Sequence, residues 1–158
     1  MNDPTNHDLL NILAEHEEAL AALYAAFGVR LPEMKTLWDQ LVHEEHAHAE
    51  VLRMLRARLE SGGAHLNTRK FNIAAVQTSL VFIERHRATI LSEGTTPLHA
   101  LSLALNLEYA LIEKEFFCVC ESDSSEMKGD FQALREHIMG HQKILEGYLE
   151  LEKRRIDP

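Results

Sequence analysis

Along four stretches of the chain, apolar residues recur every three or four positions, the spacing that lines one face of an α-helix. The first such stripe reads Leu10, Leu13, Glu17, Leu20, Tyr24, Phe27, and the second Met34, Trp38, Leu41, Glu45, His48, Leu52, Leu55, Leu59. The third reads Leu98, Leu101, Leu105, Glu108, Ile112, Glu115, Val119, and the fourth Phe131, Leu134, Ile138, His141, Leu145, Tyr148. Turn residues divide them at Gly28 to Pro32, Ser61 to Gly63, Ser92 to Pro97 and Ser122 to Gly129. The pattern predicts helices from Thr5, whose spacing to Asp8 is that of a capping box, to Gly28, and from Pro32 to Ser61. Two more are predicted from Pro97 to Glu121 and from Ser125 to Arg155. Short loops make each pair an antiparallel hairpin. Residues 64–96 then form a long crossover, where Ile73, Val76, Leu80, Ile83 and Ile90 predict one or two shorter helices.

Composition agrees with this reading. With 158 residues, 46% of them hydrophobic, the chain can fill one core, so residues 1–158 are expected to form a single all-α domain. A formal net charge of -9 opposes binding to nucleic acid or anionic lipid. No apolar run approaches the roughly 20 residues that span a bilayer, and no leader pattern precedes the first stripe, so a cytoplasmic protein without a membrane partner is expected. Cys118 and Cys120, one residue apart, provide neither a disulfide framework nor a Cys-x-x-Cys metal site, and are expected to pack as small hydrophobes.

The polar interruptions of the stripes carry the chemistry. Each stripe places a carboxylate or imidazole between apolar turns: Glu17, then Glu45 with His48, then Glu108, then His141. A buried carboxylate without a partner costs several kcal/mol or takes up a proton. The stripes contain no Lys or Arg, so a pair of metal cations is the ready counter-charge. Glu and His at i and i+3 share a helix face, and oxygen plus imidazole donors suit iron or manganese. On this view Glu45→Ala loses metal yet stabilises the metal-free chain.

At these residues the sequence resembles the ferritin-like di-iron proteins, and more narrowly the rubrerythrin-related branch. In that family one helix of each hairpin gives a Glu and the other gives Glu-x-x-His. Leu41 to Glu50 (LVHEEHAHAE) is similar to the second-helix signature, and Glu17 seven residues before Tyr24 is similar to the first-helix pattern. The resemblance implies a ferritin-like antiparallel four-helix bundle and two iron ions, with manganese an alternative. Glu17 would be a terminal ligand, Glu45 a bridge, His48 a nitrogen ligand, Glu108 the third-helix ligand and His141 the last. It also implies a homodimer that reduces peroxide or oxidises ferrous iron. Its electrons would come from a separate donor protein, because the chain lacks the four cysteines of a rubredoxin-type domain.

Two departures stand against this pattern. Ile138 occupies the position three residues before His141 where a second bridging carboxylate belongs, and Leu111 follows Glu108 where another acid is usual. Either the site is asymmetric, with one weakened metal position, or His137 swings in. A rival reading is a non-catalytic binding or assembly module with a degenerate site. Glu115 lies two turns, about 10.5 Å, from Glu108, too far to share its metal. Tyr24 can donate its hydroxyl to a ligand carboxylate or simply fill the core. His7, His65, His86 and His99 read as surface residues.

Overall fold

The structure, a computed structural model, describes residues 6–62, 65–67, 72–113, 121–122 and 124–158. It is a helical bundle. Helix α1 (Asn6–Arg30) turns through Leu31 and a 3-10 turn at Pro32–Met34 into α2 (Lys35–Glu60). Strand β1 (Leu66–Asn67) precedes α3 (Ile73–Glu93) and α4 (Pro97–Glu113). Strand β2 (Glu121–Ser122) precedes the long α5 (Ser125–Ile156). The two short strands pair antiparallel, Leu66 opposite Ser122 and Asn67 opposite Glu121.

Local chemistry sets most of these boundaries. Asn72 accepts from the Ala75 amide at 3.4 Å to start α3, and Ser124 accepts from the Met127 amide at 3.3 Å to start α5. Thr96 caps α4 through the His99 amide at 3.2 Å, with Pro97 next, where a missing amide hydrogen has no consequence. Gly94, at φ +86°, ends α3 in a conformation that side chains disfavour. The last turn of α3 is also capped in space. Arg30 donates from Nε to the Ile90 carbonyl at 3.1 Å and from its terminal nitrogen to the Leu91 carbonyl.

Several expected boundaries move. α1 continues past Gly28 to Arg30, and Gly28 instead lies against Trp38, where an added Cβ would sit 3.5 Å from the Trp38 Cβ. The crossover holds one helix, α3, of 21 residues, shorter than α1, α2 and α5 as expected, and its Val76, Ile83 and Ile90 are buried. The third predicted helix does not reach Glu121, which pairs in the ladder with Asn67. Tyr148 and Leu98, assigned to inner stripes, are exposed, while Leu149 and Ala100 are buried. Thr5, Glu115, Cys118, Val119 and Cys120 lie outside the described residues, as do the side chains of Leu111 and Ile112.

α1 and α2 pack closely along their length, α3 lies on α1, and α5 packs on α4 and approaches α2 more sparsely. Leu10, Leu13, Leu20, Leu41, Leu52, Leu101 and Leu145 are among the fully covered core residues. At about 25 cal/mol per Å² of apolar surface, this burial is the main stabilising term for the helices. Above it, Phe27, Trp38 and Tyr24 form an aromatic layer, with ring centroids 4.8 Å apart for Phe27 and Trp38 and 5.9 Å for Tyr24 and Trp38. Among the described residues no helix is long and apolar enough to cross a membrane.

Candidate metal centre

The five interrupting side chains meet inside this core. Glu17 and Glu108 are 0% exposed, Glu45 and His141 1%, and His48 2%, so none is on a solvated face. They form two groups, Glu17 with Glu45 and His48, and Glu45 with Glu108 and His141, each with donor atoms within 4.8 Å of one another. Glu45 belongs to both. The helical repeat explains the meeting: Glu45 and His48 are one turn apart on α2, and the other three stand on α1, α4 and α5 at the same level.

Both imidazoles turn Nδ1 toward the carboxylates. His48 Nδ1 lies 3.0 Å from Glu45 Oε2 and 3.4 Å from Glu17 Oε2. His141 Nδ1 lies 3.0 Å from Glu45 Oε1 and 3.3 Å from Glu108 Oε1. The Tyr24 hydroxyl donates to Glu108 Oε1 at 2.7 Å, as one of the two sequence readings of that residue expected. The remaining ring nitrogens face outward. His141 Nε2 meets Glu44 Oε2 at 2.6 Å, and His48 Nε2 meets His137 Nδ1 at 3.2 Å. His137 thus touches a cluster residue without belonging to either group.

Electrostatics follow from this geometry. Burial, followed by the neighbouring Glu45 charge, pushes Glu17 up to about 7. Burial draws His48 down, but hydrogen bonds and charge from Glu17 and Glu45 outweigh it and hold the ring at about 9. Burial also draws His141 down, and Glu108 and Glu45 overcome it to place that ring at about 11. The histidines are therefore the counter-charges of the metal-free chain, which corrects the expectation that the carboxylates have no internal partner. Their number still falls short, with three carboxylates facing two imidazoles. The raised Glu17 is the consequence.

The donor set fits metal ions. Among the described residues, Glu17 Oε1 and Glu108 Oε2 have no hydrogen-bond donor, although both are buried. Glu17 Oε2 and Glu45 Oε1 have only histidine nitrogens within ion-pair range. Buried oxygens left this way ordinarily cost about 1–3 kcal/mol each. Each group can hold a cation through two carboxylates and one imidazole, leaving further positions open to water or substrate. Ile138, one turn before His141, is buried and brings no oxygen to the cluster.

Sequence reasoning missed two neighbours of the cluster, His16, whose charge acts on Glu17, and Glu44. His16 is buried on α1, where its Nε2 lies 2.8 Å from the Ser79 hydroxyl of α3. Its spacing to Ile12 and Leu20 marked it as a member of a second inward stripe. Glu44 reads as part of a charged flank and reaches in from the edge. Searches against family models, curated proteins and solved structures returned no match for this chain.

Proposed function

We propose that this chain is a ferritin-like di-iron protein of the rubrerythrin-related kind, which reduces peroxide or oxidises ferrous iron. The observation that carries this reading is the pair of buried Glu/Glu/His groups sharing Glu45. Glu17 and His48 would complete one position, Glu108 and His141 the other, with Glu45 between them. If bound there, two ferrous ions would supply one electron each, the two electrons that convert a peroxide, with two protons, into two waters. Manganese suits the same donors.

The protein's own contribution is placement and dryness. Glu45, fixed between His48 and His141, sets the separation of the two positions, and Tyr24 fixes one oxygen of Glu108. Leu41, Leu52, Leu145 and Ile138 keep bulk water from the pocket, so charge within it is weakly screened. Electrons are supplied by a separate donor protein, and the working form is a cytoplasmic homodimer. Ile138 favours one other reading, a non-catalytic module whose incomplete site holds one ion or none.

Metal analysis decides between them. Protein from iron-supplemented cells is expected to carry about two irons per chain and to consume peroxide when reduced. Glu45→Gln, which touches both groups, is expected to remove both ions. A folded wild-type chain without firmly held metal would leave only the module.

A further inference from the structure

The two groups are unequally prepared for a cation. In the group on α2, α4 and α5, every member has an outside partner or a second tie. Tyr24 holds Glu108 Oε1, and Glu44 Oε2 lies 2.6 Å from His141 Nε2. Glu44 is itself steadied, since its Oε1 accepts from Gln40 Nε2 at 2.9 Å. The sequence Gln40, Glu44, His141 is thus a chain of hydrogen bonds running from the exposed face of α2 to the core. The group on α1 and α2 has no such support. Glu17 Oε1 has no donor among the described residues and its Oε2 has only His48 Nδ1 at 3.4 Å, whereas Glu108 lacks a donor at Oε2 alone, and the outer nitrogen of His48 faces another imidazole, His137, instead of a carboxylate.

We infer that Glu44 is a positioning residue that fixes His141 with Nδ1 toward Glu45 and Glu108, and that the Glu45, Glu108, His141 position therefore takes up a divalent cation first. This rests on the metal-binding reading above. A carboxylate on the distal nitrogen of a ligand histidine holds the tautomer that leaves the other nitrogen free to coordinate, and it raises that nitrogen's basicity. It also adds a negative charge beside a position where Ile138 contributes none. The order of filling is then opposite to what Ile138 by itself implies. The position next to the missing carboxylate is the stronger one, because α2 supplies the charge from outside.

Cobalt(II), whose visible absorption reports its ligands, tests this by titration of the full chain. Wild type is expected to bind two equivalents in separable steps. Glu44→Ala is expected to weaken the first step by about 10- to 100-fold, the range for loss of such an outer partner, and to shift its absorption. Glu44→Gln, which keeps an acceptor oxygen without the charge, should recover part of that loss. Glu17→Gln should remove the second step and leave the first. Metal-free Glu44→Gln, which keeps an acceptor for the buried His141 Nε2, should melt close to wild type, whereas metal-free Glu44→Ala should stay folded but melt lower because that nitrogen loses its acceptor. An unchanged first step in Glu44→Ala, or loss of the first step in Glu17→Gln, would overturn the inference while leaving metal binding intact. Absence of any cobalt uptake by wild type would sink both.

Discussion

The α1–α2 hairpin closes through Leu31 and the Pro32–Met34 turn and buries an aromatic layer at that end, whereas α5 approaches α2 more sparsely and, besides the shared apolar core, through several polar cross-links. The cross-links to α5 are Glu45 and Glu44 to His141, His48 to His137, and Arg58 to Glu126 and Asp130. The first hairpin supplies Glu17, Glu45 and His48 together with the supporting Tyr24 and Glu44. The second brings Glu108 and His141. One half is a frame held by apolar packing, and the other is docked on it partly through the buried ionisable cluster. Apolar burial is insensitive to protonation, while the cluster depends on it, so the two halves should respond to different perturbations.

The strongest way to separate them is to damage the frame. Trp38 is fully buried between Tyr24 and Phe27, so Trp38→Ala removes both transfer energy and packing. Denaturant titration is expected to show a loss of about 3–5 kcal/mol. A loss under about 1 kcal/mol would mean that the aromatic layer does not carry the frame.

That frame was legible in the sequence, as were the five cluster positions, for one physical reason. A charged residue on a strictly apolar helical stripe has nowhere to go but inward, so Glu17, Glu45, His48, Glu108 and His141 announced their burial through their neighbours. Glu44 and His137 could not be read this way. They stand beside the stripe, and their long or ring side chains lean over its edge to reach a buried histidine. Gly28 misled because a glycine near a turn resembles a helix stop, while here it is an ordinary helical position beside Trp38, where an added Cβ would make only van der Waals contact. The Glu121 to Asn67 pairing depends on residues far apart in sequence, which no helical periodicity records. The proposed ferritin-like reading rests on the spacing Glu-x-x-His and its partners. Neither spacing nor buried donors specify the metal or the substrate.

Protonation tests the docked half. Glu17 at about 7, His48 at about 9 and His141 at about 11 all lie above their ordinary values. Each therefore binds its proton more tightly in the folded chain than in the unfolded one. The stabilisation from Glu17 is complete below its ordinary range and lost as pH rises through about 7. That from the histidines is complete below about 6.5 and lost through about 9 and about 11. The metal-free melting temperature should accordingly fall from about pH 6 to about pH 9, and metal, which displaces these protons, should stabilise more strongly over the same interval. Glu45→Gln sharpens the test. It removes the surplus carboxylate and leaves Glu17 with His48 and Glu108 with His141, so metal-free stability near pH 8 should rise by about 1–2 kcal/mol. A lowered melting temperature in that variant would show that Glu45 is a needed partner of both rings.

The smallest expected effect lies where the halves touch. Burial, and then the charges of Glu108 and Glu45, push the Tyr24 phenol well above its ordinary value, so it stays a proton donor throughout the accessible pH range. Its bond to Glu108 therefore links α1 to α4 without adding any pH dependence of its own. Tyr24→Phe keeps the ring in contact with Trp38 and removes only the hydroxyl, leaving Glu108 Oε1 with His141 at 3.3 Å. Metal-free stability is expected to drop by about 1 kcal/mol, by a similar amount at about pH 6 and at about pH 8, because the lost bond is to a buried acceptor. A drop that appears only at the higher pH would place the phenol among the titrating groups and remove the distinction between frame and cluster at this contact.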